Sequence, residues 1–355
     1  MHETPLTGLV LSGGGARAAY QVGVLRAVAR LRRGALGPRA RLNNPFGIIC
    51  GTSAGAINAA ALACQADRFE ASVEVIAKVW QNFSADQVYR ADSIGVIRTG
   101  ARWLTMMSVG WVIARWRRMK PRSLLDNSPL ADLLTRLVPL ERLPAMFAQR
   151  HLHALAVTAS SYSSGEHYTF YESALPIEPW QRSQRVAAPT RLNQAHLLAS
   201  SAIPFVFPAT VLEQSGRPAW FGDGSMRQTA PLSPAIHLGA QRLLIIGAGR
   251  MHEPAGRPTP MPDYPNLAQI AGHAMSSIFL DALAVDIERM RRINRTLALL
   301  PESVLTDTPL KPIEALVIAP SQRLDDIAAR HLGSLPAPVR ALLRGVGVGG
   351  SGVDA

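Results

Sequence analysis

The chain has 355 residues, of which 48% are hydrophobic, so it can bury a large core as one α/β domain or two smaller ones. We favour one domain. Its 37 basic and 25 acidic residues give a net charge of +12, which favours anionic partners, although an arginine-rich genome would produce the same excess. Two cysteines, Cys50 and Cys64, fall in apolar segments and exclude a disulfide framework or a cysteine-based metal site.

The N-terminus has no basic segment followed by an apolar one, so we expect an unsecreted, cytoplasmic protein.

Leu9–Leu11 predicts a short buried strand, and a helix follows from Ala19. Between them lie Gly13, Gly14 and Gly15, whose N–H groups can turn toward one point and bind an anion at the helix N-terminus. This loop fits two uses: a phosphate cradle or an oxyanion hole for acyl transfer.

A dinucleotide-binding loop should be followed, about 20 residues later, by an acidic residue that binds the ribose. Residues 34–41 contain no Asp or Glu. Arg39 or Arg41 could instead meet a 2′-phosphate, so an NADP-dependent enzyme remains an alternative.

A second glycine motif follows the next apolar run. Phe46–Cys50 predicts a strand, Gly51-Thr52-Ser53-Ala54-Gly55 a sharp turn, and residues 56–63 a helix. This order is typical of a nucleophile elbow, in which Ser53 stands on a strained bend and Gly51 and Gly55 allow close backbone passage. The elbow favours the oxyanion interpretation of the first loop.

Residues 90–125 are expected to form an insertion in the core, a membrane-docking segment or a lid, that is apolar at its centre and basic at its ends. A run of about 12 apolar residues is too short to cross a bilayer, which takes about 20. It fits either a buried helix capped by solvated arginines or an interfacial helix that contacts anionic lipid. In the second case the docking residues are Trp103, Trp111, Arg115, Trp116, Arg117 and Arg118.

The rest of the chain predicts alternating helices and strands. Asp67 and Ser128 are candidate helix N-caps, and residues 163–165 join two strands as a hairpin. A strand over Ala219–Gly222 leads into Asp223-Gly224-Ser225. The remaining predictions are helices over Asp67–Trp80, Ser128–Leu137, Leu192–Ala199, Pro231–Leu238 and Ala268–Leu300, and strands over Leu155–Thr158, His167–Tyr171, Arg242–Gly247 and Leu316–Ile318.

Three motifs together resemble the patatin-like phospholipase family: Gly13-Gly14-Gly15-Ala16-Arg17, Gly51–Gly55, and Asp223-Gly224-Ser225. The Ser200–Pro208 segment, with small residues before Ile-Pro, is also similar to that family. The resemblance spans residues 7–250. It implies a three-layer α/β fold with a central, mainly parallel sheet flanked by helices.

The resemblance also implies a serine hydrolase of phospholipid or other acyl-ester lipids, with no cofactor. Ser53 would be the nucleophile and Asp223 the base, while Gly13, Gly14 and Gly15, supported by Arg17, would form the oxyanion hole. We expect no metal site and no nucleic-acid partner, and peripheral contact with the inner membrane surface. A histidine base would have to follow Asp223, but His237 and His273 lie within predicted helices.

Two residues depart from the family pattern: Ala18 stands where glycine is usual, and Ser225 where glycine or alanine is usual. They favour the alternative of a catalytically weak or inert membrane- or protein-binding module on the same fold. We predict a catalytic core over residues 1–250, a C-terminal extension of helix and strand over 251–345 packed on the core, and a frayed tail over 346–355.

Overall fold

The structure is a computed structural model that describes residues 5–84, 87–89, 123, 125–251, 267–331, 333 and 340. Within these residues, ten strands join in one sheet. The strands are β1 (Thr7–Leu11), β2 (Ile48–Thr52), β3 (Ala154–Ser161), β4 (His167–Ser173), β5 (Gln181–Arg182), β6 (Arg185–Pro189), β7 (Thr210–Gln214), β8 (Arg217–Asp223), β9 (Arg242–Ile246) and β10 (Glu314–Ile318).

The centre of the sheet is parallel. The strand order is β10-β9-β1-β2-β3-β4-β6-β5, and the first five of these strands run parallel to one another. Beyond β3 the sheet becomes mixed, because β4 and β8 both pair with β3 in the antiparallel direction. The hairpin predicted from the glycine-containing turn at residues 163–165 is the β3–β4 pair.

Helices cover both faces of the sheet. One apolar cluster joins alternate residues of the central strands, such as Leu9 and Ile49, to the first six helices, and another joins Val10 and Ile48 to the next two. The predicted α/β class with a central, mainly parallel sheet flanked by helices is therefore confirmed. The helices are α1 (Ala19–Leu36), α2 (Ala54–Ala63), α3 (Phe69–Gln81), α4 (Ser128–Leu137), α5 (Leu143–Ala148), α6 (Gln194–Ser200), α7 (Ser233–His237), α8 (Leu267–Leu297), α9 (Glu302–Asp307) and α10 (Leu324–Ala329).

The two predicted helix caps are wrong. Asp67 lies in a 3₁₀ turn before α3 and does not cap it; its carboxylate instead accepts two 3.0 Å hydrogen bonds from Arg142. Ser128 is the first residue of α4, and its backbone and hydroxyl donate to Asp126. In both places a partner outside the helix competes for the polar side chain.

Two sequence predictions concern the membrane: that no segment crosses it, and that residues 98–120 dock on it. No helix among the described residues is both long and apolar enough to cross a membrane. The docking residues proposed from sequence, Trp103 to Arg118, lie outside the described residues.

The C-terminal ends of β2 and β8 meet beside β3. The strand β2 pairs with the N-terminal half of β3 in parallel and ends with Thr52 opposite Thr158. The strand β8 pairs with the C-terminal part of β3 in the antiparallel direction and ends with Asp223 opposite Ala159. The residue that follows β2 is Ser53. The sheet register therefore brings Ser53 and Asp223 together from opposite directions, at the carboxyl end of the parallel strands, where α/β proteins place their binding sites.

Candidate active site

Ser53 occupies a strained turn between β2 and α2. Its φ of 56° and ψ of −130° lie outside the regions that ordinary side chains prefer, and such strain is concentrated at functional sites. Glycine is needed on both sides, because a Cβ at Gly51 would lie 2.5 Å from the Ala56 Cα and one at Gly55 would lie 2.4 Å from the Leu11 carbonyl oxygen. The Ser53 N–H donates to Ser200 Oγ at 2.9 Å, which fixes the turn.

The Ser53 hydroxyl donates a 2.6 Å hydrogen bond to Asp223 Oδ2. Both residues are buried. The other carboxylate oxygen, Oδ1, accepts the Ser225 N–H at 2.8 Å, and the Asp223 N–H donates to the Ala202 carbonyl at 3.0 Å. Asp223 is therefore held by its backbone and by both carboxylate oxygens, with one oxygen directed at the serine.

Burial raises the pKa of the Asp223 carboxyl to about 6, although hydrogen bonds from Ser53 and Ser225 act in the opposite direction. A carboxylate with this pKa is ionised at neutral pH and is more basic than an exposed one. No hydrogen bond among the described residues joins a histidine to Ser53 or Asp223. His237 instead stacks on Trp180, with ring centroids 4.8 Å apart.

The glycine loop after β1 lies beside the serine. A Cβ at Gly13 would approach the Ser53 Cβ to 3.4 Å, and Gly15 has a φ of +55°. Among the described residues, no hydrogen bond uses the N–H groups of Gly13, Gly14 or Gly15. These three N–H groups therefore have no protein acceptor among the described residues. The Arg17 N–H is already used, since it donates to the Gly14 carbonyl at 3.1 Å.

The two departures from the family pattern fit this geometry. Ala18 has a φ of −65° at the start of α1, a conformation that alanine adopts without strain. Ser225 lies in the 3₁₀ turn after β8, and its side chain is buried against the glycine loop.

A buried amide network, which the sequence did not reveal, supports the glycine loop. Gln21 donates to the Ser12 carbonyl at 2.7 Å, before the loop, and Asn58 donates to the Ala18 carbonyl at 3.2 Å, after it. Asn58 also donates to Gln21 at 3.2 Å and accepts the Trp80 indole N–H at 2.9 Å. The signal for this network was one polar residue in each of the two predicted helices that follow the loop in the chain.

An apolar cavity of about 400 Å³ opens from Ser53 and the glycine loop. It runs between α2, α3 and α4, and its size falls within the range for small-molecule sites, roughly 300–1,000 Å³. The walls carry few polar atoms, so the cavity suits an alkyl chain better than a sugar or a nucleotide. Its lining includes Ile57, Val79, Trp80, Leu134, Ile203 and Phe207.

Other predicted features can be placed as well. Cys50 and Cys64 are free and buried, as expected of small hydrophobic side chains. Within the described part of the chain, no group of three or more His, Cys, Asp or Glu side chains is arranged to hold a metal ion.

Comparison with solved structures gives distant resemblances. VipD from Legionella pneumophila is 14% identical with a TM-score of 0.36, and the match covers 89% of this chain but only 61% of VipD. The type III effector ExoU is 15% identical with a TM-score of 0.33, covering 99% of this chain and 76% of ExoU. In a complex of ExoU with SpcU from Pseudomonas aeruginosa, the matched chain is 14% identical with a TM-score of 0.30, and the match covers 96% of this chain and 68% of that one. These similarities are too weak to carry an argument about function.

A comparison with curated protein sequences gave no significant match. The sequence model for patatin-like phospholipase, in contrast, matches residues 9–236, which include the glycine loop, the elbow and Asp223. The matched region is more than half of the chain. This chain therefore belongs to the patatin-like phospholipase family.

Proposed function

We propose that the protein is a serine hydrolase that cleaves carboxylic esters of lipids, with Ser53 as nucleophile and Asp223 as base. The observation that carries this proposal is the 2.6 Å hydrogen bond from Ser53 Oγ to Asp223 Oδ2 at the mouth of an apolar cavity. A nucleophile within hydrogen-bond reach of its base is the minimum requirement for covalent acyl transfer.

The first half of the reaction forms an acyl-enzyme. Ser53 Oγ attacks the ester carbonyl while its proton passes to Asp223, and the carbonyl oxygen becomes an oxyanion. We assign the N–H groups of Gly13, Gly14 and Gly15 as the donors to that charge, since no acceptor uses them among the described residues, and such donors typically contribute about 10²–10³ in rate each. Asp223 then gives its proton to the departing alcohol.

In the second half, a water molecule attacks the acyl-enzyme. Asp223 takes the proton of this water, and the tetrahedral intermediate collapses to a free fatty acid and Ser53 Oγ, which recovers the proton. The pKa of about 6 suits both roles, because Asp223 is ionised at neutral pH yet basic enough to hold a proton during each transfer.

The substrate class follows from the cavity and from the family. The cavity places apolar walls next to Ser53, so the acyl chain lies between α2, α3 and α4, while the alcohol part of the ester faces outward. Phospholipids are the substrates that the family name implies. In this proposal Arg17 supports the oxyanion loop, since its N–H donates to the Gly14 carbonyl at 3.1 Å.

The decisive experiment measures fatty acid release from mixed phosphatidylcholine and phosphatidylglycerol vesicles, with a soluble p-nitrophenyl ester in parallel. Wild type should cleave both, and Ser53→Ala neither. Ser164→Ala, in the exposed β3–β4 turn, is the matched control and should behave as wild type. Labelling of wild type, but not Ser53→Ala, by a fluorophosphonate would identify the nucleophile.

The same experiment tests the alternatives. Ester cleavage without vesicle hydrolysis would retain the Ser53–Asp223 pair and remove the phospholipid substrate. If wild type neither labels nor cleaves, the protein is a binding module on this fold. An NADP-dependent enzyme would bind the dinucleotide at the glycine loop and leave Ser53 unlabelled.

Membrane docking by residues 98–120 is a separate proposal that depends on sequence alone. Changing Arg115, Arg117 and Arg118 to Ser should weaken binding to anionic vesicles more than it slows soluble-ester cleavage. Exposed Arg39 and Arg41, changed to Ser together, are the control for lost charge. Equal losses in binding and catalysis would contradict docking.

A further inference from the structure

A second cavity lies on the face of the sheet opposite Ser53. It has a volume of about 410 Å³ and lies between α7, α8 and the segment that precedes β10. Its apolar walls, such as Leu232, Met290 and Ile313, belong to the cluster on this face, whereas the cavity at Ser53 is lined by the other cluster. We call this second cavity the rear pocket.

The rear pocket combines apolar walls with an excess of positive charge. Three of its lining residues are cationic, namely Arg185, Arg289 and Lys311, and the opposing carboxylate is Asp286. That carboxylate is already engaged, since it accepts the Leu232 N–H at 2.9 Å and the Arg289 guanidinium at 3.5 Å. The positive charge in the pocket is therefore only partly balanced by the protein itself.

Two of the three cations, Arg185 and Lys311, form no hydrogen bond or ion pair among the described residues. Of these two, Arg185 is the half-buried one, since Lys311 is exposed. Burial is the main effect that lowers the pKa of Arg185; the nearby Arg289 and Arg182 also lower it, and Asp286 acts in the opposite direction. Folded proteins seldom leave a half-buried guanidinium without an acceptor.

We propose that the rear pocket binds an amphiphile whose compact anionic group, a carboxylate or a phosphate, pairs with Arg185 while its alkyl part lies against Leu232, Met290 and Ile313. Inorganic anions would leave the apolar walls exposed to water, and neutral lipids would leave Arg185 unpaired. This site is separate from Ser53 and does not depend on hydrolysis there.

The structure supplies a reporter for this pocket. His237 lines the pocket and stacks on Trp180, with an interplanar angle of 13°. Trp180 does not line the pocket itself but lies directly behind the His237 ring. Because bromine quenches indole fluorescence at short range, a brominated fatty acid in the rear pocket should quench Trp180. Trp80 reports in the same way on the cavity at Ser53. Trp180→Phe and Trp80→Phe therefore separate the two sites.

The experiment titrates the full chain with a brominated fatty acid below its micelle concentration. We expect a component of quenching that Trp180→Phe removes and Trp80→Phe leaves. In Arg185→Gln this component should need at least about tenfold more ligand, because a charge-assisted hydrogen bond is lost. Exposed Arg191→Gln is the matched control. Unchanged circular dichroism spectra and urea midpoints of both arginine variants would show that they fold.

Four ligands distinguish the sources of the anionic group. A brominated alkyl phosphate and the fatty acid should both quench Trp180, and the tighter one identifies the head group. Inorganic phosphate should compete weakly, and the matching brominated alcohol should not quench. Equal quenching by alcohol and acid, equal affinity in Arg185→Gln, or no Trp180-dependent quenching would each overturn the proposal.

Discussion

Gly13 faces the hydroxyl of Ser225 so closely that a Cβ at Gly13 would lie 2.3 Å from Ser225 Oγ. Gly13→Ala should therefore displace the glycine loop and lower ester cleavage by about 10²–10³ if its N–H is an oxyanion donor. Ser225 Oγ forms no hydrogen bond among the described residues, so Ser225→Ala should cost little. The double variant should regain much of the lost rate, because the clashing oxygen is gone. Equal losses with and without Ser225→Ala would contradict this contact.

The Asp223 pKa of about 6 predicts the pH dependence of catalysis. As the pH falls below 6 the carboxylate becomes protonated and can no longer accept the Ser53 proton. The kcat/KM for a soluble ester should then fall about tenfold per pH unit and be level above neutral pH. Circular dichroism at each pH controls for unfolding. A rate that is flat from pH 5 to 8 would argue against Asp223 as the base.

Asp223→Asn should abolish turnover but stabilise the fold at neutral pH. A carboxyl whose pKa is raised by folding contributes stability that is present below its unfolded pKa, near 3.8, and lost as the pH rises through about 6. At pH 8 the buried charge costs up to about 3 kcal/mol, and asparagine removes that cost. Urea denaturation at pH 8 should show the gain. At pH 4 the difference should shrink, and a constant difference would contradict the shifted pKa.

Asn58→Leu should destabilise the protein and disturb the glycine loop. The variant leaves the Trp80 indole N–H and the Ala18 carbonyl without their partner in the core, at a cost of about 2–3 kcal/mol. Urea denaturation measures the free energy of unfolding, and kcat should fall with it. Asn82→Ala is the control, because Asn82 is exposed and bonds within its own helix. A fully stable Asn58→Leu variant would show that the amide network does not stabilise the fold.

Trp80→Ala should change which acyl chains are preferred. The indole lines the cavity beside Ser53, so its removal lengthens the space available to the substrate. The acyl-chain length that gives the highest kcat/KM among p-nitrophenyl esters should therefore increase, because each additional methylene buried in the cavity contributes about 0.8 kcal/mol. Trp220→Ala, on the exposed side of β8, should leave the optimum unchanged. An unchanged optimum in Trp80→Ala would place the acyl chain elsewhere.

The sequence was most informative where glycine is required by geometry. Gly51 and Gly55 flank a turn where any Cβ would clash with backbone, so the elbow could be predicted from five residues. The pairing of Ser53 with Asp223 could be inferred only from the family, because it depends on β2 and β8 meeting against β3.

Features formed by tertiary contacts were not visible in the sequence. Asp67 has the composition of a helix cap, but Arg142 from a distant segment binds it instead. Gln21 and Asn58 look like ordinary helix residues until the fold brings them together. The rear pocket likewise gathers Arg185 and Lys311 from strands and loops far apart in the chain.

The end-to-end meeting of β2 and β8 has a consequence for how activity arises during folding. Ser53 and Asp223 are 170 positions apart, so neither half of the chain holds a working pair. On the function proposed above, a chain emerging from the ribosome gains hydrolase activity only once β8 has docked on β3. Recovery of esterase activity in refolding should follow this long-range strand pairing and lag behind the return of helical signal.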